Sequence, residues 1–374
     1  MSFVLRVEGE RWRANAAHVL ESTQRLDDCR MVPVVKGNGY GLGQQRLLGE
    51  AIRLGADVIA VGTVFEAKAL TTDRDVLVLE PFDPRDAVAA EVWWKLGARS
   101  ERIIRTISSL DALHALAEGP GHVRVVLEAL TSTHRFGIGE SELLAALADT
   151  KVRNAIAKGY VHIEGLALHL PMSTPATGSK VNEVVSWAGL WDDAIDVWPG
   201  NSDGLHTLWV SHLSNEELTE VRKHVGDLTL RPRIGTALWH GDRSTLQAFG
   251  TVLAVHPLAD GTAVGYRQRK GPKGGTLVVV SGGTSHGVGL SAPSSLTSTR
   301  ARMVAAGTGA LDAAGRALSP FTWAGKQRWF AEPPHMHGSL LWLPGDCVIP
   351  KIGDELSAQV RFTTSHFDAV LGLD

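Results

Sequence analysis

To about residue 240 the chain alternates short apolar runs with stretches of helical spacing. The runs at residues 31–35, 58–61, 76–79, 102–107, 123–127, 163–168 and 208–210 are strand-length and apolar. Between them, residues 43–54, 63–70, 110–117 and 140–151 repeat apolar positions at helical intervals. At the N-terminus, residues 3–8 read as a strand and 10–23 as a helix with Trp12, Ala16 and Val19 on one face. This alternation is the pattern of a parallel sheet with crossover helices, and roughly eight units fit. It predicts an α/β fold, a (β/α)8 TIM barrel over residues 9–240. After Trp239 the texture changes to strands at 247–257, 262–266, 276–280, 340–343 and 358–362, separated by Gly and Pro turns. A mostly β C-terminal domain follows, formed by 241–374 together with the N-terminal strand 1–8.

Composition narrows the function classes. A length of 374 residues suits a barrel plus a smaller domain, and 44% apolar with 21% charged residues is ordinary for a globular protein. Basic residues number 37 against 40 acidic ones, a net charge of −3, which predicts no nucleic-acid or anionic-membrane partner. Any phosphate site must be local. Cys29 and Cys347 lie far apart in sequence, which argues against a disulfide framework and makes a reducing cytoplasm the default location. The opening residues lack a signal peptide's apolar core, and runs such as 277–280 are too short to span a membrane.

The most informative segment is Val34-Val35-Lys36-Gly37-Asn38-Gly39-Tyr40-Gly41-Leu42-Gly43. It places a lysine at the C-terminal end of an apolar strand, the end where barrel active sites are built. Flanked by Val34 and Val35, the ammonium would be desolvated and its pKa lowered, as an imine-forming amine requires. The glycines permit close backbone approach, and Tyr40 offers a hydroxyl to a phosphate oxygen. A structural turn with a snorkelling lysine is the alternative. The segment resembles the cofactor-lysine motif of the alanine racemase family, V-K-A-N-A-Y-G-H-G, with Gly37, Gly39 and Leu42 as departures. The resemblance implies pyridoxal phosphate (PLP), carried by Lys36 as a Schiff base, and it runs in order along the chain, weakening after about residue 280.

Further residues take roles from that resemblance. Arg135 matches the family's G-M-x-R-x-G arginine, which contacts the cofactor phenolate and the substrate carboxylate. Seven positions earlier the family often has a modified lysine bracing this arginine; here Glu128 could supply the same negative charge. His169 matches the histidine that packs beneath the pyridine ring and pairs with a tyrosine. The segment at 211–215 falls where the family contacts phosphate, with Ser214 the candidate and a helix N-terminus following. Arg233 aligns with the arginine that donates to the pyridine nitrogen; a permanent cation there keeps that nitrogen unprotonated and favours proton exchange at Cα over decarboxylation. Trp239 stands where the family has a tyrosine beside the cofactor.

One expected group is missing. The family's second base is a tyrosine from the partner subunit, and Gly283 occupies its position. His286 is the nearest replacement, with Ser285, His335 and His337 also available. Met336 and His337 fall in the region that lines the substrate carboxylate pocket, while His335 and His337, one residue apart along a presumed strand, could instead share a metal. The leading expectation is an amino-acid racemase or epimerase, a homodimer in which residues 280–340 of one subunit cover the other's barrel mouth. A PLP lyase acting on β-hydroxy D-amino acids and a non-catalytic PLP-binding homologue are the alternatives.

Overall fold

The computed structural model describes residues 2–119, 121–175, 178–196, 204–271, 274–290 and 317–374. The chain opens with β1 (Phe3–Val7) and α1 (Gly9–Gln24), and by its internal contacts divides into two units, residues 14–241 and residues 1–13 with 242–374.

The first unit is a parallel barrel. Its strands are β2 (Val32–Pro33), β3 (Val58–Val61), β4 (Asp75–Val78), β5 (Ile103–Ile107), β6 (Val123–Ala129), β7 (Val161–Leu168), β8 (Thr207–Ser211) and β9 (Thr229–Ile234). Each pairs with its neighbour in sequence from β3 to β9, and β9 pairs with β2. The ring closes where Val34 bridges Ala60 and the Val35 N–H donates to the Ala60 carbonyl (2.8 Å). Side chains of Val32, Val34, Val58, Ala60, Leu77, Ile104, Val126, Ala167 and Trp209 fill the interior. Alternate residues on the same strands, such as Val35, Ile59 and Val76, are buried too. Burial on both faces is why these strands read as continuous apolar runs.

The helices are α2 (Gln44–Arg53), α3 (Val64–Ala69), α4 (Ala87–Trp94), α5 (Leu110–Ala117), α6 (Glu140–Ala148), α7 (Thr150–Ala157), α8 (Lys180–Asp196), α9 (Asn215–Arg222) and the short α10 (Thr236–His240). The single helix expected over 140–151 is two, because Asp149 leaves helical geometry (ψ 128°) and its carboxylate accepts from the Lys151 and Val152 N–H groups, capping α7. Strand β9 has no counterpart among the apolar runs, since Arg231, Pro232 and Arg233 interrupt it.

In the second unit, strand Leu246–Pro257 is long enough to pair with both Glu355–Ala358 and Thr276–Ser281. Strands Gly338–Leu343, Lys326–Phe330 and Leu318–Trp323 complete the circuit, giving a closed antiparallel ring of six, with β1 paired to Leu246–Pro257 and Ala369–Leu371 paired to β1. Phe3, Val252, Val278, Val280, Phe321 and Leu341 form its core. The strand expected at 358–362 lies earlier, at Glu355–Ala358.

Gly165 marks a tight point in the barrel. Its φ is +113°, and a Cβ there would lie 2.1 Å from the Thr207 carbonyl oxygen of the neighbouring strand. Gly165→Ala is expected to destabilise the protein by roughly 2–4 kcal/mol. Gly49 lies inside α2, where a Cβ would have no neighbour within 4 Å, and Gly49→Ala should stabilise the protein by about 1 kcal/mol. Urea unfolding of the two variants checks both signs.

Candidate active site

The C-terminal ends of the barrel strands bring five of the expected residues into one neighbourhood. Lys36 follows β2. The turn after it is held by the Gly41 N–H donating to Asn38 Oδ1 (3.1 Å), and Tyr40 takes φ +55° within it. The lysine amine has no hydrogen-bond or ion-pair partner among the described residues. Its side chain is open to solvent on one side, yet surrounding atoms crowd the amine enough that burial is the largest cause of a lowered pKa, reinforced by Arg135 and Arg233 and opposed by Glu66.

Tyr40 is buried, its ring edge-on to His240 at 5.5 Å, and its hydroxyl pKa is pushed up to about 12 by burial and Glu66. That hydroxyl lies against Gly235, where a Cβ would come within 2.0 Å of it. Only glycine at 235 allows the phenol to sit at the start of α10, whose first N–H groups, at Thr236 and Ala237, have no acceptor within the helix.

Arg233, in β9, is buried, with Nη2 donating to the carbonyls of Leu168 (2.8 Å) and Trp209 (3.2 Å). Its Nε is buried without an acceptor. Arg231, two residues earlier on the same face, instead reaches Asp57 at 2.8 Å. Glu128, in β6, is also buried, with Oε2 unpartnered; burial raises its pKa, offset by Arg233 and then Arg135. Among the described residues no ion pair joins Glu128 to Arg135, so the expected brace acts here only through its field. Arg135 itself is exposed, 5.0 Å over the ring of Phe136, in a loop fixed by Thr131 Oγ1 donating to the His169 carbonyl (2.5 Å) and Ser132 Oγ donating to Glu183 (2.7 Å).

His169 follows β7 and is half-buried. Its Nδ1 lies 3.3 Å from Ser211 Oγ and its ring is edge-on to His212 at 5.2 Å. The expected tyrosine partner is therefore replaced by Ser211 and His212. Burial, then Arg233, His212, Arg135 and Lys36, lower its pKa to about 3, so the ring is neutral at physiological pH. His212 has φ +57° and a pKa lowered first by burial and then by Arg233 and Lys36.

Two expectations need correction. Ser214 is committed as the cap of α9: its Oγ accepts from the Glu217 N–H (3.2 Å) while its own N–H donates to Glu217 Oε2 (2.7 Å). Trp239 is fully buried, and its Nε1–H donates to the Val34 carbonyl (2.8 Å), so it braces the strand before the lysine. Sequence reading missed Glu66, whose Oε2 accepts from the Gly62 N–H (2.8 Å) and Gln44 Nε2 (2.9 Å). The T-x-x-E pattern at Thr63 to Glu66, with Thr63 Oγ1 accepting from the Glu66 N–H, is the signal that marks it.

The second unit holds the remaining candidates. His286 is buried against Phe3 (5.4 Å between rings); its Nδ1 accepts from the Gly283 N–H (3.2 Å) and its Nε2 faces Asp368 Oδ1 (3.3 Å). Both nitrogens thus have partners within the unit. Gly283 has extended backbone, but a Cβ there would meet the His335 carbonyl oxygen at 2.1 Å, so no side chain fits. His335 and His337 precede strand Gly338–Leu343 rather than lying in one. His335 Nε2 pairs with Glu332 Oε1 (2.7 Å) while His337 is exposed and faces the His286 ring at 6.1 Å, so the two do not converge as a metal pair. Met336 is exposed. Among the described residues no group of three potential ligands gathers.

The family profile of the alanine racemase N-terminal domain matches residues 7–196, and the chain belongs to the alanine racemase family. It is 31% identical over 173 residues to the alanine racemase of Geobacillus stearothermophilus, covering 44% of this chain and 40% of that one. It is 29% identical over 212 residues to that of Mycobacterium bovis, covering 55% and 51%. The chain thus spans about half the length of these two relatives. A solved structure of alanine racemase from Bartonella henselae with covalently bound pyridoxal phosphate superimposes with a TM-score of 0.61 at 16% identity, covering 96% of this chain and 91% of that one. A histidine racemase from Leuconostoc mesenteroides gives 0.58 at 19% identity, covering 95% and 87%. These likenesses establish the fold, a (β/α)8 barrel followed by a β domain.

The neutral His169 has a measurable consequence. Below pH 6.5 the unfolded chain protonates this ring, whereas the folded protein does so only near pH 3. Stability is therefore lost as pH falls through that window. His169→Gln should make the decline between about pH 6.5 and 4 shallower in urea unfolding; an unchanged slope means the ring is not held neutral.

Proposed function

We propose that this protein is a PLP-dependent amino-acid racemase in which Lys36 binds the cofactor covalently. The observation that carries the reading is the pairing, in one barrel mouth, of an unpartnered lysine amine of lowered pKa with a buried arginine whose Nε lacks an acceptor. That orphaned donor suits the pyridine nitrogen. The Tyr40 hydroxyl against Gly235, with the first-turn N–H groups of α10, suits the phosphate, while Ser214 Oγ already accepts the capping N–H of Glu217. When bound, pyridoxal phosphate supplies a carbonyl that condenses with amines and an electron-withdrawing ring that acidifies the substrate Cα–H.

The chain's own residues do the rest. Lys36, its amine pKa lowered by burial, is the nucleophile and then the base at Cα on one face of the substrate. Arg233 donates through Nε and, as a permanent cation, keeps the ring nitrogen without a proton, which limits electron withdrawal and favours return of the Cα proton. Arg135, exposed on a loop held by Thr131 and Ser132, would receive the substrate carboxylate. His169, neutral, would lie beside the bound ring without adding charge. The lyase alternative drew on Gly283 and on the His335 and His337 pair, and the separate engagements of the two histidines give a shared metal no support.

Borohydride reduction followed by mass spectrometry should place a pyridoxyl group on Lys36, and Lys36→Ala should carry none; an adduct retained by that variant overturns the reading. With no side chain fitting at Gly283 and His286 tied at both nitrogens, Lys36 is the base we place in the site among the described residues, and in the family arrangement it serves the D-enantiomer. D-amino acids should therefore exchange the Cα proton with deuterium faster than L-amino acids by about 10²–10⁴-fold. Equal rates would reveal a second base.

The reading includes a homodimer, because an open barrel mouth leaves the reacting amine in water and a second copy can cover it. Residues 280–340 are the covering segment we propose, although 291–316 lie outside the described residues. Sedimentation should give a dimer as the active species; a fully active monomer excludes this part.

A further inference from the structure

Arg105 belongs to no part of the site described above. It lies in β5 next to Ile104, which faces the barrel interior, so its own side chain projects the other way, under α4 and α5. Only 5% of the residue is exposed, and its guanidinium carbon sits 4.7 Å from the centre of the Trp93 ring. Nε and Nη1 are both buried without an acceptor, and among the described residues no carboxylate pairs with it. Burial alone lowers its pKa to about 10, with no opposing charge contributing, so it remains a cation at physiological pH.

Beside the guanidinium is a cavity of about 20 Å³ lined by Phe82, Trp93, Trp94, Leu116 and Val123. Space of that size holds roughly one particle as large as a water molecule. A water molecule could accept from one N–H but would leave the charge uncompensated, and a buried charge is tolerated only when paired. The walls are aromatic and aliphatic, which disfavours strongly hydrated or divalent anions, whereas ring edges carry the positive end of the quadrupole and favour a soft anion.

We propose that this cavity is a binding site for one weakly hydrated monovalent anion, chloride in ordinary salt, acting as the buried counter-ion of Arg105. The anion would tie β5 to the indole of α4 and make the barrel's stability depend on halide concentration at a point remote from the lysine's chemistry. Because Arg105 takes no part in the proposed racemase site, the two readings fail independently.

The test uses the whole protein. Crystals soaked in sodium bromide should show an anomalous peak next to Nε or Nη1 of Arg105. In parallel, the melting temperature should rise and saturate with sodium chloride, compared with sodium gluconate at equal ionic strength, and Arg105→Met should lose this halide-specific rise. Absence of bromide at Arg105 overturns the proposal, as does an equal halide dependence in Arg105→Met. A bromide peak with no saturable stabilisation means an adventitious ion only, and also overturns it. If Arg105→Met does not fold, the native protein still decides: bromide occupancy and the melting rise must saturate over the same concentration range.

Discussion

Three cationic side chains, Lys36, Arg135 and Arg233, act on one another's neighbours in the mouth of a single barrel, and the surplus of positive charge governs how every other group there is held. Two carboxylates offset it in part. Glu66 supports the lysine side, and Glu128 lies beneath the arginines with an oxygen left unpaired. Burial first, and the charge imbalance second, keep His169 neutral and lower the pKa of the lysine amine. The imbalance also makes the mouth a natural receiver for anions, which a phosphate dianion and an amino-acid carboxylate both are. Under the proposed reading, the lowered lysine pKa and the attraction of an anionic substrate would draw on the same excess charge.

Much of the barrel was legible because strands buried on both faces cannot hide their composition. What escaped reading escaped for local reasons. Strand β9 carries Arg231 and Arg233 on one face with Pro232 between them, so no apolar run marks it, although it places the arginine most central to the site. Helices α4 and α8 join strands that had been recognised but were not themselves separated from the intervening chain. Lys36, Arg135 and Arg233 could be named from motifs, whereas their partners depend on three-dimensional neighbours that no spacing reveals. Ser214 shows the opposite lesson. The S-x-x-E pattern with Glu217 is a capping signature visible in the sequence, and the capping box it predicts is present.

In the second unit, side chains offered as catalytic substitutes have architectural duties. His286 joins Gly283, Phe3 and Asp368, linking a turn, the N-terminal strand and the C-terminal segment of the closed ring. The ring explains the missing tyrosine in steric terms. The backbone of His335 and Met336 runs so close over Gly283 that the position is closed to any residue with a Cβ.

The hydrogen bond from Trp239 to the Val34 carbonyl joins residues 205 positions apart in sequence. It fastens the start of the barrel to its end two residues before the lysine, at the seam where the ring of strands closes. During synthesis the lysine motif leaves the ribosome early, but the groups that fix its backbone and cap its turn are the last of the barrel to emerge. A nascent chain that has reached only residue 196 carries the whole stretch by which the family is recognised, yet lacks the strand of Arg233 and the indole of Trp239. The lysine is thus placed only once the barrel is complete, so an unfinished chain holds the reactive amine without the scaffold that would tune it.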